Sequence, residues 1–217
     1  MKRINGELEL ILCDIGNTTF HFNINGKEQR YLTNSHIPDF KQRVYYVSVN
    51  DNATAKLKLT NDDIVDLEPY IKFKTKYVGM GLDRKIACCF IEDGIIVDAG
   101  SAITVDIIKK GKHKGGFILP GLKAFRDIYP QISHKLDVDL NTKVNLDKIP
   151  LCTKDAISYA ILKSIIEPIK KVSKKKQITF TGGDGKLLSK YFDNSIYKKD
   201  IIFENMRRII NANDCIT

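Results

Sequence analysis

Three aspartates of the 217-residue chain stand among glycines and small residues, where a carboxylate can do chemistry: Asp14, Asp83 and Asp98. The densest such stretch is Val97-Asp98-Ala99-Gly100-Ser101-Ala102-Ile103-Thr104-Val105-Asp106. Apolar residues 94–97 precede its turn and residues 103–108 run through and beyond it, which predicts strand, tight turn, strand. Gly100 lets the chain bend with main-chain N–H groups exposed, Ser101 adds a hydroxyl, and Asp98 adds a hard oxygen ligand. That set suits a phosphate with its accompanying cation.

Asp14-Ile15-Gly16-Asn17-Thr18-Thr19 repeats the device after the apolar residues 8–13 and before an alternating run over 18–24. Aligned on the aspartates, Gly16 matches Gly100 and Asn17 matches Ser101. Phe20, Phe22 and Ile24 then match Thr104, Asp106 and Ile108, and a Gly-Lys turn follows in both copies, at Gly26-Lys27 and Gly111-Lys112. A chance likeness of two common strand–turn–strand units is the alternative. The ordered match predicts a duplicated unit facing itself across a cleft. A third glycine turn, Thr181-Gly182-Gly183, ends another predicted strand at 177–180. Neither the Gly-x-x-x-x-Gly-Lys-Ser/Thr loop nor a Gly-x-Gly-x-x-Gly fingerprint after a first strand is present, so a nucleotide site here is of another kind.

Asp83 has a different neighbour. In Gly81-Leu82-Asp83-Arg84 a carboxylate able to accept a hydroxyl proton adjoins a guanidinium suited to a carboxylate or phosphate. The alternative is an ion pair that caps a helix.

The elements that must position these groups follow from periodicity. Residues 44–49 read as a buried strand, leading through Asn50 and Asp51 into a polar helix to Leu59. A short helix capped by Asp62-Asp63 is expected to run through Leu67 and stop at Pro69. Another strand is expected over 71–77, then a helix over 85–91 with Ile86, Cys89 and Phe90 on one face. In the second half a third strand over 115–121 closes on Pro120-Gly121, and a helix from Leu122 to about Ser133 meets Pro130. Residues 137–150 read as an irregular connection, mobile or part of an interface. Thr153 is the expected N-cap of a long helix through Val172, bent at Pro168, and residues 204–211 form a last amphipathic helix. Strands alternating with helices predict α/β layers with helices flanking mixed sheets, in lobes over 1–92 and 93–217.

Composition bounds the function. A hydrophobic share of 43% and a charged share of 28% are ordinary for a soluble globular protein. No apolar run reaches membrane-span length, and Met1-Lys2-Arg3 is not followed by a signal core, so the cytoplasm is expected and a membrane is not. Cys13, Cys88, Cys89, Cys152 and Cys215 lack metal-ligand spacing and read as reduced and mostly buried. The net charge of +9 is carried by dispersed lysines without a recognition motif, which suits solvated faces and does not predict a nucleic-acid partner.

Five motifs occur in order: Asp-x-Gly-Asn-Thr, Gly-x-Asp-Arg, Asp-x-Gly-Ser-Ala-x-Thr-x-Asp, Gly-Gly-x-Ile-x-Pro-Gly and Thr-Gly-Gly, spanning residues 14 to 183. Together they resemble type III pantothenate kinase, of the acetate and sugar kinase, heat-shock chaperone and actin superfamily. The resemblance implies two duplicated actin-like (ribonuclease H-like) lobes with a cleft between them. It implies ATP-dependent phosphorylation of the primary hydroxyl of pantothenate to 4′-phosphopantothenate, the first step of coenzyme A synthesis. Asp14, Ile15, Gly16, Asn17, Thr18, Thr19, Phe20 and His21 would bind ATP, with Asp14 holding Mg²⁺ through water, and Ser101 would touch ATP. Gly81, Leu82, Asp83, Arg84 and Thr153 would contact pantothenate, with Asp83 the general base. Asp98 would help hold a monovalent cation (K⁺ or NH₄⁺), and Thr181-Gly182-Gly183 would lie near the nucleoside. A homodimer whose partner completes the pantothenate pocket is also implied.

The chain departs from the family pattern at several places. Ser101 stands where Thr is usual, and Ala160 where a helix glycine is common. The Tyr-x-x-Pro-x-x-Leu lead-in reads Lys74, Tyr77 and Met80. Two other functions remain open: a kinase of another small hydroxy acid or sugar, and a non-catalytic nucleotide-sensing or nucleic-acid-binding regulator.

Overall fold

The computed structural model describes residues 3–4, 7–8, 10–174 and 176–213. The chain forms two compact units, one from the residues through Phe90 together with those from Asp200 on, the other from Ile91–Lys199.

In the first unit β1 (Arg3–Ile4) and β2 (Glu7–Leu8) pair as a short antiparallel ribbon. An antiparallel meander follows: β3 (Ile11–Ile15), β4 (Thr19–Ile24) and β5 (Lys27–Leu32). Then β6 (Val44–Ser48) lies parallel to β3, and after α1 (Asp51–Thr60) β7 (Ile64–Asp66) lies parallel to β6. The sheet order is β5-β4-β3-β6-β7. Alternation along β3 fills two cores: Ile11, Cys13 and Ile15 pack with Phe20, Phe22 and Leu57 of α1. Leu10 and Leu12 pack on the other side with Leu82 and Ile86 of α2 (Leu82–Cys88) and with Phe203 and Met206 of α6 (Ile201–Asn211). Burial on both faces explains why this strand is almost continuously apolar.

The second unit repeats the plan. Its meander is β8 (Asp93–Ala99), β9 (Ala102–Lys109) and β10 (Lys112–Pro120). After α3 (Leu122–Ile132) and α4 (Thr153–Ser173), β11 (Ile178–Thr181) lies parallel to β8. After α5 (Gly185–Leu188), β12 (Ser195–Tyr197) lies parallel to β11. The order β10-β9-β8-β11-β12 has the connectivity of the first sheet, so the duplication is one of topology. Ile161, Leu162, Ile165 and Ile169 of α4 pack on Ile95, Val97, Ile103, Val105 and Phe180. This is the expected α/β architecture of two duplicated units with mixed sheets and flanking helices.

The register changes one part of the repeat. Ile15 pairs with Phe20 but Ala99 pairs with Ile103, so the first turn holds one residue more. Asp14 faces His21, and Asp98 faces Thr104. The structural equivalents are therefore Phe20 and Ile103, Phe22 and Val105, Asn23 and Asp106, rather than Phe20 with Thr104. A shift of one residue reverses the faces of a strand, and Phe20, Phe22, Ile103 and Val105 all belong to cores.

Other expectations change as well. Residues 62–67 hold β7 (Ile64–Asp66) rather than a helix, because Val44 N donates to Asp63 O and Leu67 N to Tyr46 O, and Pro69 falls in a 3-10 turn at Glu68–Tyr70. Residues 71–77 alternate half-buried and exposed positions, as their pattern suggests, yet join no sheet. The helix expected over 85–91 runs Leu82–Cys88, starting from Gly81 as N-cap. Phe90 lies beyond it with φ 64° and 48% exposed, its ring under Arg208 at 4.0 Å rather than in the core. Cys152, not Thr153, caps α4. Residues 137–150 are irregular but anchored: Val138, Leu140, Val144 and Leu146 pack on the core, and Asn141 N donates to Ser158 Oγ (2.8 Å). The last helix does not stay with the second half. Its stripe of Phe203, Met206 and Ile209 packs on the first unit, and Asn205 Nδ2 donates to Ile86 O at 2.8 Å. Cys215 lies outside the described residues; Cys13, Cys88 and Cys89 are buried and Cys152 is exposed.

Candidate functional site

The first hairpin brings a carboxylate to the end of two adjoining strands. Gly16 N donates to Thr19 O at 3.0 Å, closing a turn on which Asn17 and Thr18 are exposed. Ile15 and Phe20 are fully buried, so only their backbones can meet a ligand. Asp14 is half-buried. Burial, and then the charge of Asp14, push the Cys13 thiol well above its ordinary range, which leaves that cysteine protonated and inert. The His21 side chain has neighbours of its own: Nε2 lies 3.0 Å from Glu28 Oε2, and the ring meets Phe203 edge-on at 4.8 Å.

The Asp83 turn abuts the same strand ends. Val49 N donates to Ile15 O at 3.0 Å, and a Cβ built on Gly81 would lie 3.9 Å from Val49 Cγ1. Asn50 adds a second tie, capping α1 through Ala53 N and donating from Nδ2 to Asn17 O at 3.2 Å. The Asp83 carboxylate folds back over Gly81, where a Cβ would stand 2.5 Å from Oδ1. That oxygen accepts from Arg84 N at 2.8 Å within the first turn of α2, whose N-cap is Gly81, and this bond fixes the carboxylate. Arg84 is 6% exposed, with its guanidinium 4.7 Å from the centre of the Tyr77 ring. A groove of about 600 Å³ beside it is lined by Phe73, Lys74, Tyr77, Met80 and Lys85 among others. In this unit the structure thus joins Asp14, the turn at 16–19 and the motif at 81–84.

In the second unit two further turns press on the hairpin turn that follows Asp98. Gly100 N donates to Ala102 O, and Gly121 N donates to Ser101 O, both at 3.0 Å. A Cβ on Gly121 would lie 2.3 Å from Gly100 O, so only glycine lets the Pro-Gly turn press this close. Gly182, at φ +81°, comes equally near: its Cβ would be 2.5 Å from both Asp98 Oδ1 and Ala99 O. Asp184 N donates to Ala99 O at 2.9 Å, and burial holds the Asp184 carboxyl above its usual range. Ser101 is exposed on the turn. Thr153 is exposed on the first turn of α4, and among the described residues no hydrogen bond ties it to this patch. Away from the turns, Asp106 Oδ1 and His113 Nε2 form a buried pair at 2.9 Å where the first unit has Asn23.

Among the described residues no three His, Cys, Asp or Glu gather as a metal cage. Each hairpin offers one carboxylate. That fits a divalent ion arriving on a triphosphate and keeping most of its waters better than an all-protein site. Sequence reasoning missed the ties through Val49 and Asn50, and it singled out the Tyr77 ring without naming its neighbour, Arg84. Asn50 carried a visible helix-start signal, but nothing local announced its bond to Asn17.

Among known proteins, the family model described as type III pantothenate kinase matches residues 10–175. A Campylobacter jejuni type III pantothenate kinase is 45% identical over 206 residues, covering 94% of this chain and 98% of that protein. One from Helicobacter hepaticus is 42% identical, covering 93% and 98%. A solved Campylobacter jejuni structure, described as a conserved Baf family transcriptional activator, superposes with TM-score 0.84 at 43% identity, covering 94% of this chain and 99% of that one. With ordered motifs, duplicated sheets and near-full-length relatives in agreement, this chain belongs to the type III pantothenate kinase family.

Proposed function

We propose that the chain transfers the γ-phosphoryl group of ATP to the primary hydroxyl of pantothenate, forming 4′-phosphopantothenate for coenzyme A synthesis. The observation that carries this is the Asp83 carboxylate, pinned over Gly81 and set through Val49 against the mouth of the Asp14 hairpin. Phosphoryl transfer needs positioning and charge neutralisation more than covalent help. Asp83 accepts the hydroxyl proton as the alkoxide attacks in line, a role that typically adds about 10²- to 10⁴-fold. Arg84 addresses the pantothenate carboxylate, and Thr153 contacts the same substrate.

Asn17, Thr18 and Thr19 present the first turn to phosphate, and Asp14 is the carboxylate that would hold Mg²⁺, through water; when bound, Mg²⁺ would offset charge on the phosphates. Ser101 contacts ATP and the Thr181-Gly182-Gly183 turn lies by the nucleoside. Asp98, a hard oxygen donor beside main-chain carbonyls, suits K⁺ or NH₄⁺. The second copy of a homodimer fits the apolar surface at Ile128 and Ile132 of α3, which are 52% and 68% exposed. The cytoplasm, where ATP is abundant and thiols stay reduced, is the compartment this chemistry suits; no helix among the described residues is long and apolar enough to cross a membrane.

The test is an assay of purified protein with ATP, pantothenate, Mg²⁺ and K⁺. Formation of ADP and phosphopantothenate in equal amounts supports the reading, and none of either overturns it. A panel of other hydroxy acids and sugars separates pantothenate from other acceptors. The solved relative described as a transcriptional activator favours a second reading, a DNA-binding regulator. Tight, salt-sensitive DNA binding without ATP turnover would support that one instead.

A further inference from the structure

The Thr181-Gly182-Gly183 turn is held from behind by a residue that belongs to none of the five motifs. Tyr197 of β12 is half-buried, and its hydroxyl donates to Gly182 O at 3.3 Å. Gly185 N donates to the same oxygen at 3.2 Å, and the Tyr197 ring packs so closely on Gly185 that a Cβ there would lie 3.1 Å from Cε2. Thr181 is 3% exposed, and its Oγ1 donates to Lys199 O at 3.3 Å. The side chain of this turn is therefore tied inward, and what the turn offers outward is main chain. Gly183 is exposed, a Cβ on it would meet nothing within 4 Å, and among the described residues no hydrogen bond engages its N–H.

We infer that Tyr197 is a positioning residue for the nucleotide: its hydroxyl holds the Gly182 carbonyl toward β12, which turns the Gly183 N–H outward to meet an acceptor oxygen of ATP. This rests on the kinase reading above, in which the turn lies by the nucleoside. The peptide joining residues 182 and 183 is planar and trans, so its C=O and N–H point in opposite directions. Whatever fixes the carbonyl therefore aims the N–H. Gly182, at φ +81°, has no Cβ to restrict its rotation, so an untied peptide has other orientations open to it. Gly185 belongs to the same turn and moves with it. Tyr197 comes from a neighbouring strand, paired in parallel with β11, and so anchors the peptide to the sheet. A donor aimed before the ligand arrives needs no reordering on binding.

The experiment compares wild type, Tyr197→Phe and Tyr191→Phe by calorimetric titration with ATP and by steady-state kinetics, with thermal melting to verify folding. Tyr197→Phe keeps the ring on Gly185 and loses only the hydroxyl. It should raise Kd and KM for ATP about three- to tenfold, the worth of one hydrogen bond, leaving kcat and KM for pantothenate within about twofold. Tyr191→Phe is the control, because the Tyr191 hydroxyl, in the same unit, donates to Thr142 O at 2.7 Å, a carbonyl outside the turn. It should leave ATP affinity as in wild type even if the melting temperature falls. A Tyr197→Phe variant with wild-type affinity for ATP overturns the inference alone, as does one whose KM for pantothenate rises equally. So does an equal loss of ATP affinity in Tyr191→Phe, which would make the effect one of general stability. A wild type that binds no ATP overturns the kinase reading, and the inference with it.

Discussion

The two hairpins share a plan and differ in what surrounds them. In the first, the turn after Asp14 is one residue longer and stands open: a Cβ on Gly16 would meet nothing closer than Thr19 O at 3.6 Å. In the second, the Pro-Gly turn and the Gly-Gly turn press onto the main chain at Gly100 and Ala99, with glycine Cβ positions 2.3 and 2.5 Å from backbone oxygens. The first hairpin is held instead by side chains, through Asn50 to Asn17 O and through the aromatic core of Phe20 and Phe22. One fold therefore places an acid at a strand end in two ways. Polar ties leave the turn after Asp14 open, and close backbone contacts crowd the turn after Asp98.

If each acid acts on the phosphates, Asp14→Asn and Asp98→Asn should each lower kcat about 10²- to 10³-fold without lowering the melting temperature. Only Asp98→Asn should also change the response to K⁺, as titration of the salt would reveal. Equal K⁺ responses in both variants would break the distinction. Next in size is the backbone contrast. Gly182→Ala and Gly121→Ala should each cost about 2–4 kcal/mol in urea unfolding, since a backbone oxygen must move to make room. Gly16→Ala should cost less than about 1 kcal/mol. The smallest effect on activity is expected at Cys13, whose equivalent in the second hairpin is Val97, each one residue before its aspartate. Both side chains are fully buried, and the raised pKa of Cys13 means that no thiolate forms there below pH 9. Cys13→Val should therefore change stability by less than about 1.5 kcal/mol and leave the activity profile between pH 7 and 9 unchanged. A profile altered at its alkaline end would reveal an ionising Cys13.

Much of this was legible where one strand carries its own signal. Residues 94–97 read as a strand because the run holds only apolar residues and glycine, residues 103–108 because apolar residues recur across Thr104 and Asp106, and the turn between them because only small residues intervene. β5 was not legible: Lys27–Leu32 lies at a sheet edge, mostly exposed, and its polar residues resemble a loop. The extra residue in the first turn was hidden for another reason. Alignment on Asp-x-Gly says nothing of where pairing resumes, and only the ladder places Asn23 opposite Leu12 as Asp106 lies opposite Ile96. The return of α6 to the first unit was equally silent, since its amphipathic stripe specifies a buried face and not which core covers it. For the candidate site, residue types announced Asp14, Asp83 and Asp98, whereas the ties of Val49 to Ile15 and of Asn50 to Asn17 are contacts that spacing does not encode.

The most direct measurement is a single-turnover comparison of wild type with Asp83→Asn, following ³²P from γ-labelled ATP onto pantothenate, with pantothenate binding measured by calorimetry. The account predicts transfer slowed about 10²- to 10⁴-fold while affinity for pantothenate stays within a few-fold. Transfer at the wild-type rate in Asp83→Asn would contradict it.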